Sequence, residues 1–145
     1  MKTKDFLSHD EKAEIISAIR EAELRTSGEV RVHIEKKCKG DILDRAAYIF
    51  EKLKMHKTDL RNGVLFYLAL NDKKFAILGD RGINEKVPEN FWNDIKIMME
   101  QHFMNGQMVI GLKEGILTAG EHLKIHFPHK KDDVNELSDE ISFSN

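Results

Sequence analysis

Hydrophobic residues recur at two spacings along this chain, and the switches between them lay out its elements. Ile15, Ile16, Ile19, Ala22 and Leu24 follow a helical period. They come after Ser8-His9-Asp10-Glu11, a capping box in which Ser8 caps the helix and Glu11 reaches back. This predicts a helix from about Ser8 to Arg25, ended by Thr26-Ser27-Gly28. Val30, Val32 and Ile34 then alternate strictly with polar residues, the period of a strand with one buried face. Such a strand belongs toward the edge of a sheet, and His33 falls on its solvated side. Asp41 caps a second helix whose stripe is Ile42, Ala46, Ile49, Phe50 and Leu53.

The next stretch, Asp59 to Ile83, is the centre of the chain. Val64 to Leu70 is almost wholly apolar, as expected of a strand covered on both faces. Phe75 to Leu78 is a second strand, and Asn71-Asp72-Lys73-Lys74 between them suits a tight turn. Strand, helix and strand make a β-α-β unit with parallel strands, and the hairpin adds an antiparallel third strand. Phe91, Trp92, Ile95, Met98, Met99 and Phe103 predict a helical region from Pro88 or Glu89, broken at Asn105-Gly106. Met108 to Phe127 continues as another helix, stopped by Pro128. Gly111 and Gly115 lie one turn apart there, a device for close packing. Val134, Leu137 and Ile141 could dock a short helix from the tail. The reading is an α/β fold with a small mixed sheet.

Composition narrows the class. With 145 residues, 41% hydrophobic and 33% charged, the chain fits one ordinary globular domain. Its net charge of -2 gives no pull toward nucleic acid or acidic membranes. The basic residues form no stripe interleaved with aromatics, so nucleic acid is excluded as a partner. Beyond Lys131 all charges are acidic, which reads as a solvated tail over 129–145. Cys38 cannot form an internal disulfide, and the N-terminus lacks the apolar core of a signal peptide. No run reaches a membrane span. A soluble, cytoplasmic monomer is expected.

Topology brings acidic groups together. Glu29 starts the first strand; Asp59, Arg61 and Asn62 precede the second; Gly79-Asp80-Arg81-Gly82 follows the third. All fall on one edge of the sheet. Glu29, Asp59 and Asp80 would repel unless something positive sits among them. Arg61 and Arg81 could form an ion network with them. A hard cation such as Ca²⁺ could equally be held by the carboxylates and by carbonyls turned inward at Gly79 to Gly82. His122 and His126, four apart, lack the glutamate of a zinc-protease motif and read as surface histidines. No phosphate loop or nucleophile elbow occurs.

Ser27-Gly28-Glu29-Val30, Arg61-Asn62-Gly63-Val64-Leu65, Ala76-Ile77 with Gly79-Asp80-Arg81-Gly82-Ile83, then Trp92 and the Gly111–Gly120 helix together resemble the TPM domain family over about residues 5 to 128. The resemblance implies a three-layer α/β/α sandwich with a Rossmann-like central sheet. Members similar to this chain include a plant thylakoid-lumen protein linked to photosystem II repair, with acid phosphatase activity, and others that bind Ca²⁺. Carried over by position, the metal-holding residues would be Asp59, Asp80 and Glu29, with Asn62 as neighbour. Mg²⁺ or another divalent cation is a lesser expectation. Three functions follow as expectations: a Ca²⁺-binding interaction module with a protein partner, a metal-dependent phosphatase with Arg61 or Arg81 holding phosphate, or a metal-free scaffold.

Overall fold

A computed structural model describes residues 2–130 and 135–144. Its element order is a 3-10 turn at Thr3–Asp5, then α1 (His9–Arg25), β1 (Glu29–Glu35), α2 (Ile42–Lys52), β2 (Gly63–Ala69), β3 (Lys74–Gly79), α3 (Arg81–Asn84), α4 (Asn93–Met104), α5 (Met108–Leu123) and β4 (Ser142–Ser144). The capping box at α1 is complete: Ser8 Oγ accepts from Glu11 N–H and Glu11 accepts from Ser8 N–H. Asp41 caps α2 through the N–H groups of Leu43 and Asp44.

The sheet order is β3-β2-β1-β4. β1 and β2 run parallel, with Glu29 beside Gly63 and Glu35 beside Ala69. β3 runs antiparallel to β2. One face carries the larger core: Val30, Val32 and Ile34 of β1 and Val64, Phe66 and Leu68 of β2 pack against α1, α4 and α5. The other face packs Leu65, Tyr67 and Ala69 against Ala46, Ile49 and Phe50 of α2. Each of these large side chains contributes on the order of 1.5–3 kcal/mol by burial. The result is the expected mixed α/β sandwich.

Two expectations are corrected. β1 is not an edge strand with one wet face. It lies between β2 and β4, and all its residues except half-buried Arg31 are buried, His33 included. The reason is the tail, read from its charge as solvated or as a short helix. Residues 142–144 instead form β4, parallel to β1, with His33 beside Ser142 and Glu35 beside Ser144. Leu137 enters the α2-side core, and Ile141 packs against the other. Val134 lies outside the described residues. Gly111 and Gly115 do serve close packing: a Cβ at Gly115 would stand 2.5 Å from Met99 Sδ.

Candidate functional site

The register brings the start of β1, the start of β2 and the end of β3 side by side, since Glu29 pairs Gly63 and Val64 pairs Gly79. The backbone stitches these ends together. Glu29 N–H donates to Asn62 O at 3.1 Å and Asp80 N–H to Gly63 O at 2.9 Å. Asn62 is buried, and its amide donates to Ser27 O at 3.0 Å. Asn62 thus ties the β1 and β2 ends.

Gly79 to Gly82 is not the open loop that the glycines suggest. Asp80 caps the short α3, accepting from Arg81 N–H at 2.7 Å. There a single N–H, that of Arg81, faces the carboxylate, and the Gly79 and Asp80 carbonyls are taken by Asn84 Nδ2 and by the Ile83 and Asn84 N–H groups. Both Asp80 oxygens also receive the Arg61 guanidinium, at 2.8 and 3.0 Å. Arg61 reaches this geometry from a left-handed backbone (φ 51°). Arg81 is exposed, 3.9 Å from Glu85. Asp80 is therefore committed to an ion pair and a helix cap, one of the two arrangements foreseen for it.

Glu29 and Asp59 meet different company. Glu29 is buried, and one carboxylate oxygen accepts the backbone N–H groups of Glu136 and, at 2.8 Å, Leu137. Glu136 in turn accepts the N–H of exposed Asp59 at 3.3 Å. The C-terminal segment thus straps across the start of β1 and the loop before β2. Its acids crowd the crossing. Burial, together with the negative charges of Glu136 and Asp139, pushes the Glu29 carboxyl up to about 7, against the pull of its two N–H partners. Burial, then a hydrogen bond and repulsion from Asp139, push Glu23 up to about 9, although Glu23 also accepts from Val30 N–H at 3.1 Å. A cleft of ≈ 290 Å³ opens here, lined by Glu23, Glu29 and Asp139 with Arg20, His129 and Leu24. Arg20 lies 3.6 Å from Asp139 but is largely exposed.

Among the described residues, no three His, Cys, Asp or Glu side chains are grouped as a set that could hold a metal. Asp80 does not suit that role, with its oxygens taken. The carboxylates at the strap crossing are hard oxygen donors, of the type Ca²⁺ takes. Sequence reasoning placed Glu29 and Asp59 here and missed Glu23, Glu136 and Asp139. The one available signal was the apolar series Leu137, Ile141 and Phe143 among the tail acids, which marks a docked segment.

A second polar cluster sits at the far end of β1. Arg45 of α2 holds both Glu35 oxygens at 2.8 Å, and Tyr67 donates its hydroxyl to the same carboxylate. Burial works to raise Glu35, but these bonds outweigh it and hold the carboxyl below its ordinary value. Burial and Glu35 raise Tyr67. His33 stacks on Tyr67, bonds Ser142 through Nδ1 and bonds Ser144 through Nε2 at 3.0 Å. Cys38 is half-buried, with Sγ directed to Gly40 O. His122 and His126 lie edge-on to Phe91, both 5.9 Å from its ring centre.

The profile of the TPM domain matches residues 1–122. The chain belongs to the TPM domain family. The solution structure of the BA42 protein, from the psychrophilic bacterium Bizionia argentinensis, is 47% identical and covers 96% of each chain with a TM-score of 0.92. The N-terminal domain of a P. gingivalis protein shares the fold at 20% identity and a TM-score of 0.70, over 86% of this chain and 81% of that one. So does the N-terminal domain of the cg2496 protein of Corynebacterium glutamicum, at 11% and 0.61, over 93% and 79%. No curated protein gives a significant match. No helix among the described residues of this TPM domain is long and apolar enough to cross a membrane.

Proposed function

We propose that this TPM domain is a Ca²⁺-binding interaction module, a cytoplasmic monomer whose cation orders the loops where the C-terminal segment crosses the sheet edge. The observation that carries the reading is the crossing itself. The Glu29 carboxylate accepts from Glu136 and Leu137 N–H, the Glu136 carboxylate accepts from Asp59 N–H, and the charge of Asp139 bears on Glu29 and Glu23. Like charges held this close favour either protons or a cation among them. The proposed ligands are Glu29 and Asp59 with Glu136, Asp139 and Glu23, which lie on separate segments and form no ready-made set, so the cation would have to draw them together. Asp80 and Asn62 position the loops. Exposed Leu24 and Leu60 flank the crossing, apolar groups that ordered loops would present to a protein partner.

Thermal unfolding after chelation, with and without millimolar CaCl₂ and with MgCl₂ as control, tests this. Ligand at ~100 times its Kd adds about 2.7 kcal/mol, a Tm rise of several degrees. Glu29→Gln and Asp139→Asn are expected to shrink the rise. Asp80→Asn is expected to lower Tm while leaving the rise intact. No rise with either cation would sink the reading and favour the metal-free scaffold. The phosphatase alternative has less support: Arg61 is paired to Asp80, and Asp80, the carboxylate beside Arg81, is engaged by that pair and by its own helix cap. Turnover of a chromogenic phosphate ester, lost in Glu29→Gln, would revive it.

A further inference from the structure

The strand β4 joins the sheet through one unusual contact. His33 is 3% exposed, and both its ring nitrogens are taken by serine hydroxyls of β4, Ser142 and Ser144. The groups facing it come from every element packed around it. Glu35 of the same strand lies 3.6 Å from Nε2. Tyr67 of β2 stacks on the ring. Arg45 and Lys52 of α2 bear on it with positive charge. From β4 come only the two neutral hydroxyls. A neutral imidazole offers one donor and one acceptor, so one serine donates to the bare nitrogen and the other accepts from the N–H. Glu35, the only carboxylate among these groups, is already held by both guanidinium arms of Arg45 and by Tyr67. Its charge still favours an imidazolium, but burial of the ring outweighs it.

We propose that β4 is an acid-released strap, latched on the edge of β1 by neutral His33 and undocked when that histidine takes a proton. The argument is one of least cost. A buried imidazolium must reach water, and His33 is otherwise enclosed by the sheet and α2. β4 pairs over three residues, all only half-buried, so lifting it is the cheapest opening. Burial already pushes the His33 pKa down to about 4, with Arg45 and Lys52 adding to the effect and Glu35 opposing it. Release bares the outer edge of β1 at His33 to Glu35, a template on which another strand can pair. None of this requires a cation, and the test is run in chelator so that it stands apart from the metal reading.

The measurement is amide-exchange protection of β4 and β2 by NMR between about pH 7 and pH 3.5, with the His33 ring nitrogens followed in parallel. β4 protection is expected to fall at least tenfold as His33 titrates, while β2 keeps its own. In His33→Gln, which stays neutral and can both donate and accept, β4 protection is expected to be flat with pH. A β4 still protected at the acid end overturns the proposal, whether or not His33 has titrated. So does equal loosening in His33→Gln. Should that variant fail to fold, Ser142→Ala with Ser144→Ala removes the latch from outside. Its β4 is expected to be loose at neutral pH, and wild-type protection there overturns the proposal as well.

Discussion

Gly82 is the residue on which the Asp80–Arg61 arrangement depends. A Cβ at this position would lie 2.1 Å from Leu60 O and 2.7 Å from Arg61 O. Both obstacles are backbone, which cannot rotate away as a side chain can. Gly82 N–H also donates to Arg61 O at 2.9 Å, so the close approach is a bonded one. Gly82→Ala must therefore push α3 off the loop before β2 and draw Asp80 away from Arg61. Overpacking of this kind typically costs 1–3 kcal/mol, and backbone contact places this case at about the upper end. A Tm loss of several degrees is expected in a denaturation scan; an unchanged Tm would mean that α3 does not sit on this loop. The sequence carried half of this. Gly79-Asp80-Arg81-Gly82 was legible as a special turn, and Asp80 with Arg61 as a possible ion pair. The cap was not, because a glycine needed for close approach looks the same in sequence as one needed for a turn.

At the scale of elements, two of the three glycines that let α5 approach its neighbours, Gly115 and Gly120, differ in what they meet. At Gly115 an added Cβ would strike Met99, whose thioether can swing aside. At Gly120 it would stand 2.9 Å from Ala22 Cβ and 3.0 Å from Ala22 Cα, where nothing can give without moving α1. Helix propensity favours alanine over glycine by about 1 kcal/mol at both. Gly115→Ala is thus expected to be near neutral and Gly120→Ala destabilising by about 2 kcal/mol, read from chemical denaturation midpoints. The reverse order would show that α1 is the softer neighbour. Local periodicity made these helices legible, and β1 has the bounds its alternation indicates. What the alternation could not give is the environment of its polar side. Glu35 and His33 are buried because Arg45, Tyr67 and two distant serines satisfy them, and no local pattern announces a partner more than a hundred residues away. β4 itself is too short for periodicity to register.

Taken over the whole molecule, acid and base act on opposite halves of the C-terminal segment. His33, with its pKa depressed, contributes stability that is present above its ordinary value of 6.5 and lost as pH falls toward about 4. Glu29 and Glu23 have raised values, so their contribution is complete below 4.5. It is lost as pH rises through about 7 and about 9. Between 4.5 and 6.5 the two effects oppose each other. Above 7 only the carboxylates remain, and the sign is unambiguous. There the native state binds more protons than the unfolded chain, and each excess proton lowers stability by at most about 1.4 kcal/mol per pH unit. The Tm of the chelated protein is therefore expected to fall from pH 7 to 9, and Glu23→Gln is expected to flatten the decline. Saturating CaCl₂ should offset it, because a cation binds the carboxylates that the protons have left. Calorimetry at three pH values, with and without Ca²⁺, separates the possibilities. A Tm that rises in chelator over this range would mean that the crossing carboxylates are already ionised and solvated. A fall that Ca²⁺ does not offset would leave the strain at the crossing real and its relief to protons alone.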